Sequence, residues 1–320
     1  MIIPKQLTKG DIIGIYSPSG SVTYNPNETA MYESGLKALQ HRGYQIKEGN
    51  FARHRYYHMS APAKDKAADI HDLFKDPEVV AIIPSVGGHT ASQILPYLDL
   101  DLIQKHPKIF VGFSDSAVLG MYIAAQTGLI TYHSAVDVMF GFSRFGTSDC
   151  PMQNKGQYTT DCFWEMLEQG QVFSDKFSPW VAISDGECSG TILGGNLKGI
   201  QALIGTPFEP NWDGVILYWE AADAPHVIAQ TLAHLKNAKV LNRIAGMVVG
   251  KVSHLKETFY AADEVMPVHE FIRYLMEGID IPIIAECDIG HDVENITIPN
   301  GCPAHLEVKN GDCKLSFLYG

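Results

Sequence analysis

The hydrophobic pattern of this chain changes from that of a strand to that of a helix within four residues, between Gly112 and Asp115. Residues 109–111 form a short apolar run typical of a buried strand, and residues 117–125 carry apolar side chains at helical spacing. Ser114 therefore lies at the corner of a strand-turn-helix unit. Such a unit restricts the chain to folds in which strands and helices alternate, and it places the serine hydroxyl beside free backbone N–H groups.

The residues around Ser114 match the hydrolase pattern G-x-S-x-G except at the last position, which is Ser116. A serine in such a string can be a nucleophile, but many are only helix caps. The motif by itself leaves both roles open.

Strand and helix patterns alternate along the rest of the chain, which predicts an α/β fold with a parallel sheet. Further strands are predicted over 11–16, 44–46, 79–84, 129–133, 214–219, 244–250 and 281–287. Further helices are predicted over 27–42, 61–76, 91–98, 162–168, 227–236 and 264–276, and the stretch 190–197 leads into another helix that runs through Leu203. The end of the chain reads as a hairpin that turns at Asn310-Gly311-Asp312.

A chain of 320 residues is long enough for two domains. The stretch 141–160 is rich in Gly, Ser, Thr, Asp, Gln and Asn, which indicates the start of an interdomain connection. We therefore expect an N-terminal domain over 1–145, a connecting segment over 146–180 and a C-terminal domain over 181–320.

The formal net charge of −12 argues against nucleic acid or an anionic membrane as the main partner, because either requires a basic surface. A small or peptide-like substrate is expected instead. The N-terminus lacks a basic region followed by an apolar stretch, so we expect a cytoplasmic protein. The six cysteines are scattered without metal-ligand spacing, which indicates reduced structural thiols and no metal site.

Two adjacent glycines, Gly87 and Gly88, lie between a predicted strand and a predicted helix. Glycines at such a place let the backbone approach a bound group closely and leave N–H donors unblocked. The loop matches neither nucleotide-binding glycine motif, so a phosphate loop is the weaker interpretation. The better one is half of an oxyanion hole, in which the N–H groups of Gly88 and Asp115 serve Ser114.

Two more polar residues follow apolar strands. Glu220 ends the strand predicted over 214–219, where a buried carboxylate needs a partner, and His291 follows a glycine after the strand over 281–287. Ser114 as nucleophile, His291 as base and Glu220 as the group that orients the imidazole would fill the three roles of a triad. His89 and His133 remain rival bases.

Several blocks of the sequence resemble those of the LD-carboxypeptidase family of serine peptidases. They are Gly112-Phe113-Ser114-Asp115, Gly194-Gly195-Asn196-Leu197, Gly205-Thr206-Pro207, the strand ending at Glu220, and Gly290-His291 with Ile298-Pro299-Asn300-Gly301. The resemblance implies a Ser-Glu-His triad at Ser114, Glu220 and His291, no metal and no cofactor. It also implies a homodimer, and a flavodoxin-like N-terminal domain joined to a smaller C-terminal α/β domain.

The loop from Ser85 to Thr90 is similar to the Gly-Gly loop of the microcin immunity branch of that family, which cleaves the amide between an acidic residue and a modified nucleotide. The candidate substrate contacts are Gly87, His89, Asn196 and Trp180. Trp180 can stack on a base or simply pack within its own domain.

The leading hypothesis is therefore an amidase that acts on an aminoacyl nucleotide, with a role in antibiotic resistance. The first alternative is a muramoyltetrapeptide carboxypeptidase, which releases the terminal D-alanine during peptidoglycan recycling. An alternative of another class is a non-catalytic protein that binds a nucleotide or a peptide at the edge of the sheet.

Overall fold

The computed structural model describes residues 1–134, 138, 156–173, 175–252 and 266–319. These residues form an α/β structure with two β-sheets. The strands are β1 (Ile12–Tyr16), β2 (Gln45–Glu48), β3 (Val79–Pro84), β4 (Ile109–Gly112), β5 (Thr131–His133), β6 (Val181–Ser184), β7 (Gly186–Asn196), β8 (Val215–Ala221), β9 (Gly246–Val252), β10 (Ile283–Cys287), β11 (Ile298–Asn300), β12 (Pro303–Lys309) and β13 (Asp312–Phe317).

The α-helices are α1 (Pro26–His41), α2 (Ala63–Lys75), α3 (Leu100–Lys105), α4 (Ala117–Thr127), α5 (Gln157–Trp164), α6 (Leu197–Leu203), α7 (Pro225–Asn237) and α8 (Val268–Leu275). Short 3₁₀ helices cover Ala91–Tyr97 and Ser114–Ser116, and a π-helical turn covers Glu165–Gln169. The first helix shows how local sequence sets a boundary, because the Asn25 side chain accepts a hydrogen bond from the Glu28 N–H and proline occupies the first helical position.

The first sheet has the strand order β11-β5-β4-β3-β1-β2. Its strands β2, β1, β3, β4 and β5 are parallel, in the order of a flavodoxin-like sheet. The predicted fold class is thereby confirmed. β11 comes from the C-terminal part of the chain and pairs antiparallel with β5, so the two halves of the molecule share a sheet edge.

The second sheet has the strand order β13-β12-β7-β8-β9-β10-β6. The central strands β7, β8, β9 and β10 are parallel, and antiparallel strands flank them on both sides. The parallel arrangement brings the carboxyl ends of β8 and β10 to one edge. Glu220 is the second-last residue of β8, and His291 lies on the loop that follows β10.

Helix α4 lies between the two sheets. Its residues 117–124 are all buried, as expected for a helix that is apolar on every side. Small residues on the second sheet allow the close approach, since a Cβ added at Gly195 would lie 2.9 Å from the Cβ of Ala117. The helix that begins after Ser114 is therefore held from both sides.

The predicted elements differ from the observed ones mainly in the least regular places. β6, β7, β11 and α3 were not predicted, and the predicted helix over 91–98 is a 3₁₀ helix. Residues 139–155, which include the start of the predicted connecting segment, lie outside the described residues, and Cys150 is one of them. Within the described residues, no helix is both long and apolar enough to cross a membrane.

Glu168 joins the segment after α5 to the residues that precede β1 and β2. Its carboxylate accepts hydrogen bonds from Lys9 Nζ at 2.7 Å, Arg42 Nε at 2.8 Å and the Tyr44 hydroxyl at 2.5 Å. Burial opposes the charge, but the bonds from Arg42, Lys9 and Tyr44 outweigh it and lower the pKa of Glu168 to about 2.

Replacing Glu168 by glutamine should lower the free energy of unfolding by about 1–2 kcal/mol at pH 7. Because the pKa of the folded carboxyl lies below the 4.5 of the free group, this stabilisation is complete above pH 4.5 and is lost as the pH falls toward 2. Urea unfolding at several pH values would show the two proteins converging in acid. An equal loss in the neighbouring variant Glu165→Gln would contradict the assignment.

Candidate active site

Ser114 occupies a strained turn between β4 and α4. Its φ is +53°, in the left-handed region that side chains other than glycine rarely adopt. The turn is closed by Ser116, whose hydroxyl accepts from the Phe113 N–H at 2.9 Å and donates to the Phe113 carbonyl at 2.8 Å. The serine that departs from G-x-S-x-G thus holds the corner on which Ser114 is presented.

Glu220 lies near the end of β8 and is fully buried. Its Oε1 accepts from Asn196 Nδ2 at 3.0 Å, and its Oε2 lies 2.7 Å from His291 Nδ1. Burial opposes its charge, but His291 and Asn196 outweigh that effect and lower the pKa of Glu220. Glu220 is therefore an ionised carboxylate that holds the imidazole through one nitrogen.

His291 lies on the loop after β10, and its Nε2 is 2.9 Å from the Ser114 hydroxyl oxygen. Asn295 closes this loop, since its Oδ1 accepts from the Gly290 N–H at 2.7 Å and its Nδ2 donates to the Gly290 carbonyl at 2.9 Å. The Phe113 ring packs on the imidazole, with ring centroids 4.8 Å apart. Backbone and ring contacts thus fix the histidine between serine and carboxylate.

The structure therefore brings Ser114, His291 and Glu220 into one hydrogen-bonded series. The two distances are those expected between a nucleophile, its base and the group that orients the base. Such a series can move a proton from the serine hydroxyl to the imidazole while the carboxylate stabilises the imidazolium.

The Gly-Gly loop lies against the nucleophile. A Cβ added at Gly87 would lie 3.4 Å from the Ser114 hydroxyl oxygen, and one at Gly88 would lie 2.4 Å from the Ser19 hydroxyl oxygen. At Gly88, where φ is also +147°, only glycine fits. Among the described residues, neither the Gly88 nor the Asp115 N–H donates to a backbone or side-chain acceptor, so both can serve a ligand.

The rival bases are not placed to serve Ser114 as His291 is. His89 is exposed on the Gly-Gly loop. His133 is fully buried, neither of its ring nitrogens has a hydrogen-bond partner among the described residues, and burial lowers its pKa to about 4. A neutral, enclosed imidazole packed on Phe113 is a core side chain.

Two predicted substrate contacts have protein partners. Both ends of the Asn196 side chain are occupied, since it donates to Glu220 and accepts from the Lys198 N–H. Trp180 is only 7% exposed and donates from Nε1 to Asp288 Oδ2 at 3.0 Å. The contacts place Asn196 in support of Glu220 and favour the packing interpretation for Trp180.

Sequence reasoning overlooked Asp288 and Asn295. Asp288 is fully buried just before the His291 loop, and it accepts hydrogen bonds from Lys251, Ser178, Trp180 and the Phe177 N–H. The available signal was an acidic residue directly after a buried strand, but the partners of Asp288 lie between 37 and 111 residues away in sequence.

The cysteines found in the described part of the chain are free thiols. Cys287 is fully buried, and burial raises its pKa, which makes it unreactive. Across that same part of the chain, no group of three His, Cys, Asp or Glu side chains is placed to hold a metal ion.

Both halves of the chain match models of known protein domains. Residues 13–134 match the model of the LD-carboxypeptidase N-terminal domain, and residues 189–306 match that of the C-terminal domain. The chain is 27% identical over 305 residues to a probable murein peptide carboxypeptidase of Bacillus subtilis, covering 95% of this chain and 91% of that protein. It is 24% identical over 346 residues to the microcin C7 self-immunity protein MccF of Escherichia coli, covering 99% and 96%.

Solved structures show the same fold. MccF in complex with glutamyl sulfamoyl guanosine superposes with a TM-score of 0.86 at 22% identity, covering 100% of this chain and 99% of that one. A muramoyltetrapeptide carboxypeptidase from Oxalobacter formigenes superposes with a TM-score of 0.78 at 25% identity, covering 96% and 98%.

The strain at Ser114 predicts a measurable difference between two variants. Ser114→Gly and Ser114→Ala both remove the hydroxyl, but only glycine relieves the left-handed backbone. Ser114→Gly should therefore unfold at higher urea concentration, with a free energy of unfolding about 1 kcal/mol above that of Ser114→Ala. Equal stabilities of the two variants would show that the turn is not strained.

Proposed function

Because the chain belongs to the LD-carboxypeptidase family, we propose that it is a serine amidase that cleaves the amide bond of an aminoacyl nucleotide next to a carboxylate-bearing residue. The observation that carries this proposal is the hydrogen-bonded series from Ser114 through His291 to Glu220. A protein that only binds a ligand has no need of a strained serine whose hydroxyl lies 2.9 Å from a buried, carboxylate-held imidazole.

In the first half of the reaction the Ser114 oxygen attacks the amide carbon and its proton passes to His291 Nε2. The carbonyl oxygen gains negative charge, which the N–H groups of Gly88 and Asp115 stabilise. His291 then gives the proton to the leaving amine, the C–N bond breaks, and an acyl group remains on Ser114.

In the second half, His291 takes a proton from water, and the resulting hydroxide attacks the acyl carbon. The tetrahedral intermediate uses the same two N–H groups, and His291 returns the proton to the Ser114 oxygen as the acid leaves. Glu220 stays ionised throughout, as its lowered pKa requires.

Two features support an aminoacyl nucleotide as substrate. The loop from Ser85 to Thr90 resembles that of the immunity branch, and the chain superposes on MccF over its whole length. Solved structures of MccF contain glutamyl sulfamoyl guanosine and aspartyl sulfamoyl adenosine, both aminoacyl nucleotides with an acidic residue.

A second candidate is the muramoyltetrapeptide carboxypeptidase reaction, which releases the terminal D-alanine. It is favoured by the 27% identity to the probable murein peptide carboxypeptidase, against 24% to MccF. Both reactions use the same chemistry at Ser114. For either reaction, a homodimer stays a prediction from the family resemblance, and a cytoplasmic location stays a prediction from the N-terminal sequence.

The substrate is tested by offering both classes to the purified protein and to Ser114→Ala. Aspartyl or glutamyl sulfamoyl adenosine should be hydrolysed by the wild type, and the rate should fall by roughly 10⁴-fold or more in the variant, because no other group can take over the attack. Product formation is followed by mass spectrometry, and circular dichroism checks that the variant is folded.

The outcomes separate the candidates. Hydrolysis of the muropeptide alone would show that the protein catalyses the muramoyltetrapeptide carboxypeptidase reaction instead. Turnover that persists in folded Ser114→Ala would exclude Ser114 as the nucleophile, and with it both reactions at this site.

Glu220→Gln tests the carboxylate with little change in shape. Glutamine can still meet Asn196 or His291, but it carries no charge to stabilise the imidazolium and can stabilise the wrong tautomer. We expect kcat to fall by roughly 10⁴-fold, with a much smaller change in KM. Asn196→Ala should have a milder effect because Glu220 keeps its bond to His291. A Glu220→Gln variant with near wild-type kcat would contradict the role of the carboxylate.

A further inference from the structure

Lys66 is a lysine on the buried face of α2 that the proposed reaction does not use. Its side chain is 2% exposed, and it shares this face with Ile70 and Leu73, which are also buried. Burying an ammonium group is costly unless hydrogen bonds replace its water, so its position needs an explanation.

The ammonium group bridges two loops. Lys66 Nζ donates to the Pro18 carbonyl at 2.9 Å, to the Thr90 hydroxyl at 3.0 Å and to the Thr90 carbonyl at 3.4 Å. Pro18 follows β1, and Thr90 ends the Gly-Gly loop. Among the described residues, no carboxylate forms an ion pair with Lys66, so all three bonds go to uncharged oxygens of these loops.

The same two loops are bonded to each other beside the nucleophile. The Thr90 N–H donates to the Ser19 hydroxyl at 2.8 Å, and the Gly20 N–H donates to the Gly87 carbonyl at 3.0 Å. Gly88 packs so tightly on Ser19 that a Cβ there would lie 2.4 Å from the Ser19 hydroxyl oxygen. A shift of Pro18 or Thr90 would therefore move Gly88.

The Gly-Gly loop is also tied to the turn that carries Ser114. The Ala91 N–H donates to Asp115 Oδ2 at 2.8 Å, and Ala91 directly follows Thr90. The Gly-Gly loop, which offers the Gly88 N–H to the oxyanion, is thus anchored at two residues. Lys66 holds it at Thr90, and Asp115, which offers the second N–H, holds it at Ala91.

We propose that Lys66 is a positioning residue, whose ammonium group clamps the loops at Pro18 and Thr90 and so holds the Gly88 N–H at the distance that the oxyanion requires. This role rests on the proposed function, because it concerns the oxyanion of the Ser114 reaction. Lys66 does not touch the reacting atoms and acts through the loop.

The charge of Lys66 makes the clamp sensitive to pH. Burial lowers the pKa of Lys66 to about 8, and the charge of Asp115 only partly offsets this. The other titratable side chains on α2 and on the segments around it include Lys64, Asp65, Asp69, His71, Asp72, Lys75, Tyr16, His54, His89, Tyr97, Asp99, Asp101 and Lys105. A neutral amine has two N–H donors and a lone pair, so it cannot donate to all three oxygens.

Loss of the proton should weaken the clamp without unfolding the protein. The pKa of Lys66 is lower in the folded state than the 10.5 of the free group, so the unfolded chain binds more protons between pH 8 and 10.5. The contribution of Lys66 to stability therefore rises across this range. As the pH rises, kcat should therefore fall while the contribution of Lys66 to stability increases. This difference in direction separates a positioning role from simple stabilisation.

The test measures kcat and KM between pH 6 and 10 for the wild type, Lys66→Met, Lys66→Arg and the exposed control Lys64→Met, with the amide that the wild type hydrolyses. The wild type and the control should lose kcat above about pH 8. Lys66→Met should lower kcat at pH 7 by roughly 10²-fold, comparable to the loss of one oxyanion donor, with little change in KM. Both Lys66 variants should lack the loss above pH 8.

Full kcat in Lys66→Met, or the same alkaline loss in either Lys66 variant, would overturn the proposal. Should the variants fail to fold, the titration of Lys66 is followed in the wild type by its ¹³Cε resonance. The proposal requires that the midpoint of this titration coincide with the midpoint of the loss of kcat, and different midpoints would overturn it. Turnover that survives Ser114→Ala overturns the proposed function and this role with it. Turnover that needs Ser114 but not Lys66 overturns only the role of Lys66.

Discussion

The site depends on one buried charge. Glu220 is removed from water at the end of β8, and such a carboxylate is tolerated only if its oxygens are occupied. Asn196 occupies one and His291 the other. The bond to His291 in turn orients the imidazole so that its second nitrogen meets Ser114. The hydrogen bonds that one buried carboxylate requires therefore set the orientation of the base. They form only when the ends of β7 and β8 and the loop after β10 come together.

A second constraint is the backbone of Ser114. A left-handed serine persists only where the surroundings hold it, and here α4 continues from the turn into the space between two sheets. The antiparallel pairing of β11 with β5 attaches the C-terminal half to the same sheet. The two halves of the site are thus held together by the fold itself rather than by the hydrogen bonds of the three polar side chains.

Buried polar residues around the site hold different parts of it in place. Asn196 and Asn295 hold Glu220 and the His291 loop, and Asp288 gathers Lys251, Ser178 and Trp180 beneath that loop. Lys66 likewise binds the end of the Gly-Gly loop, through Thr90, and the loop after β1, through Pro18. Each is a buried polar group with several partners, which is the condition under which such groups make a structure rigid.

The sequence by itself determined the alternation of strands and helices, the turn at Ser114 and the strand ends that carry Glu220 and His291, because hydrophobic period and glycine positions are local properties. It could not show that Trp180 is bonded to Asp288, that Asn196 faces Glu220, or that Lys66 reaches Pro18 and Thr90. Lys66 lies at helical spacing from Ile70 and Leu73, so its burial was visible as a pattern, but its purpose was not. The partners of a buried polar group come from segments distant in the chain, and only the packed tertiary structure decides which oxygens and nitrogens lie within 3 Å of each other.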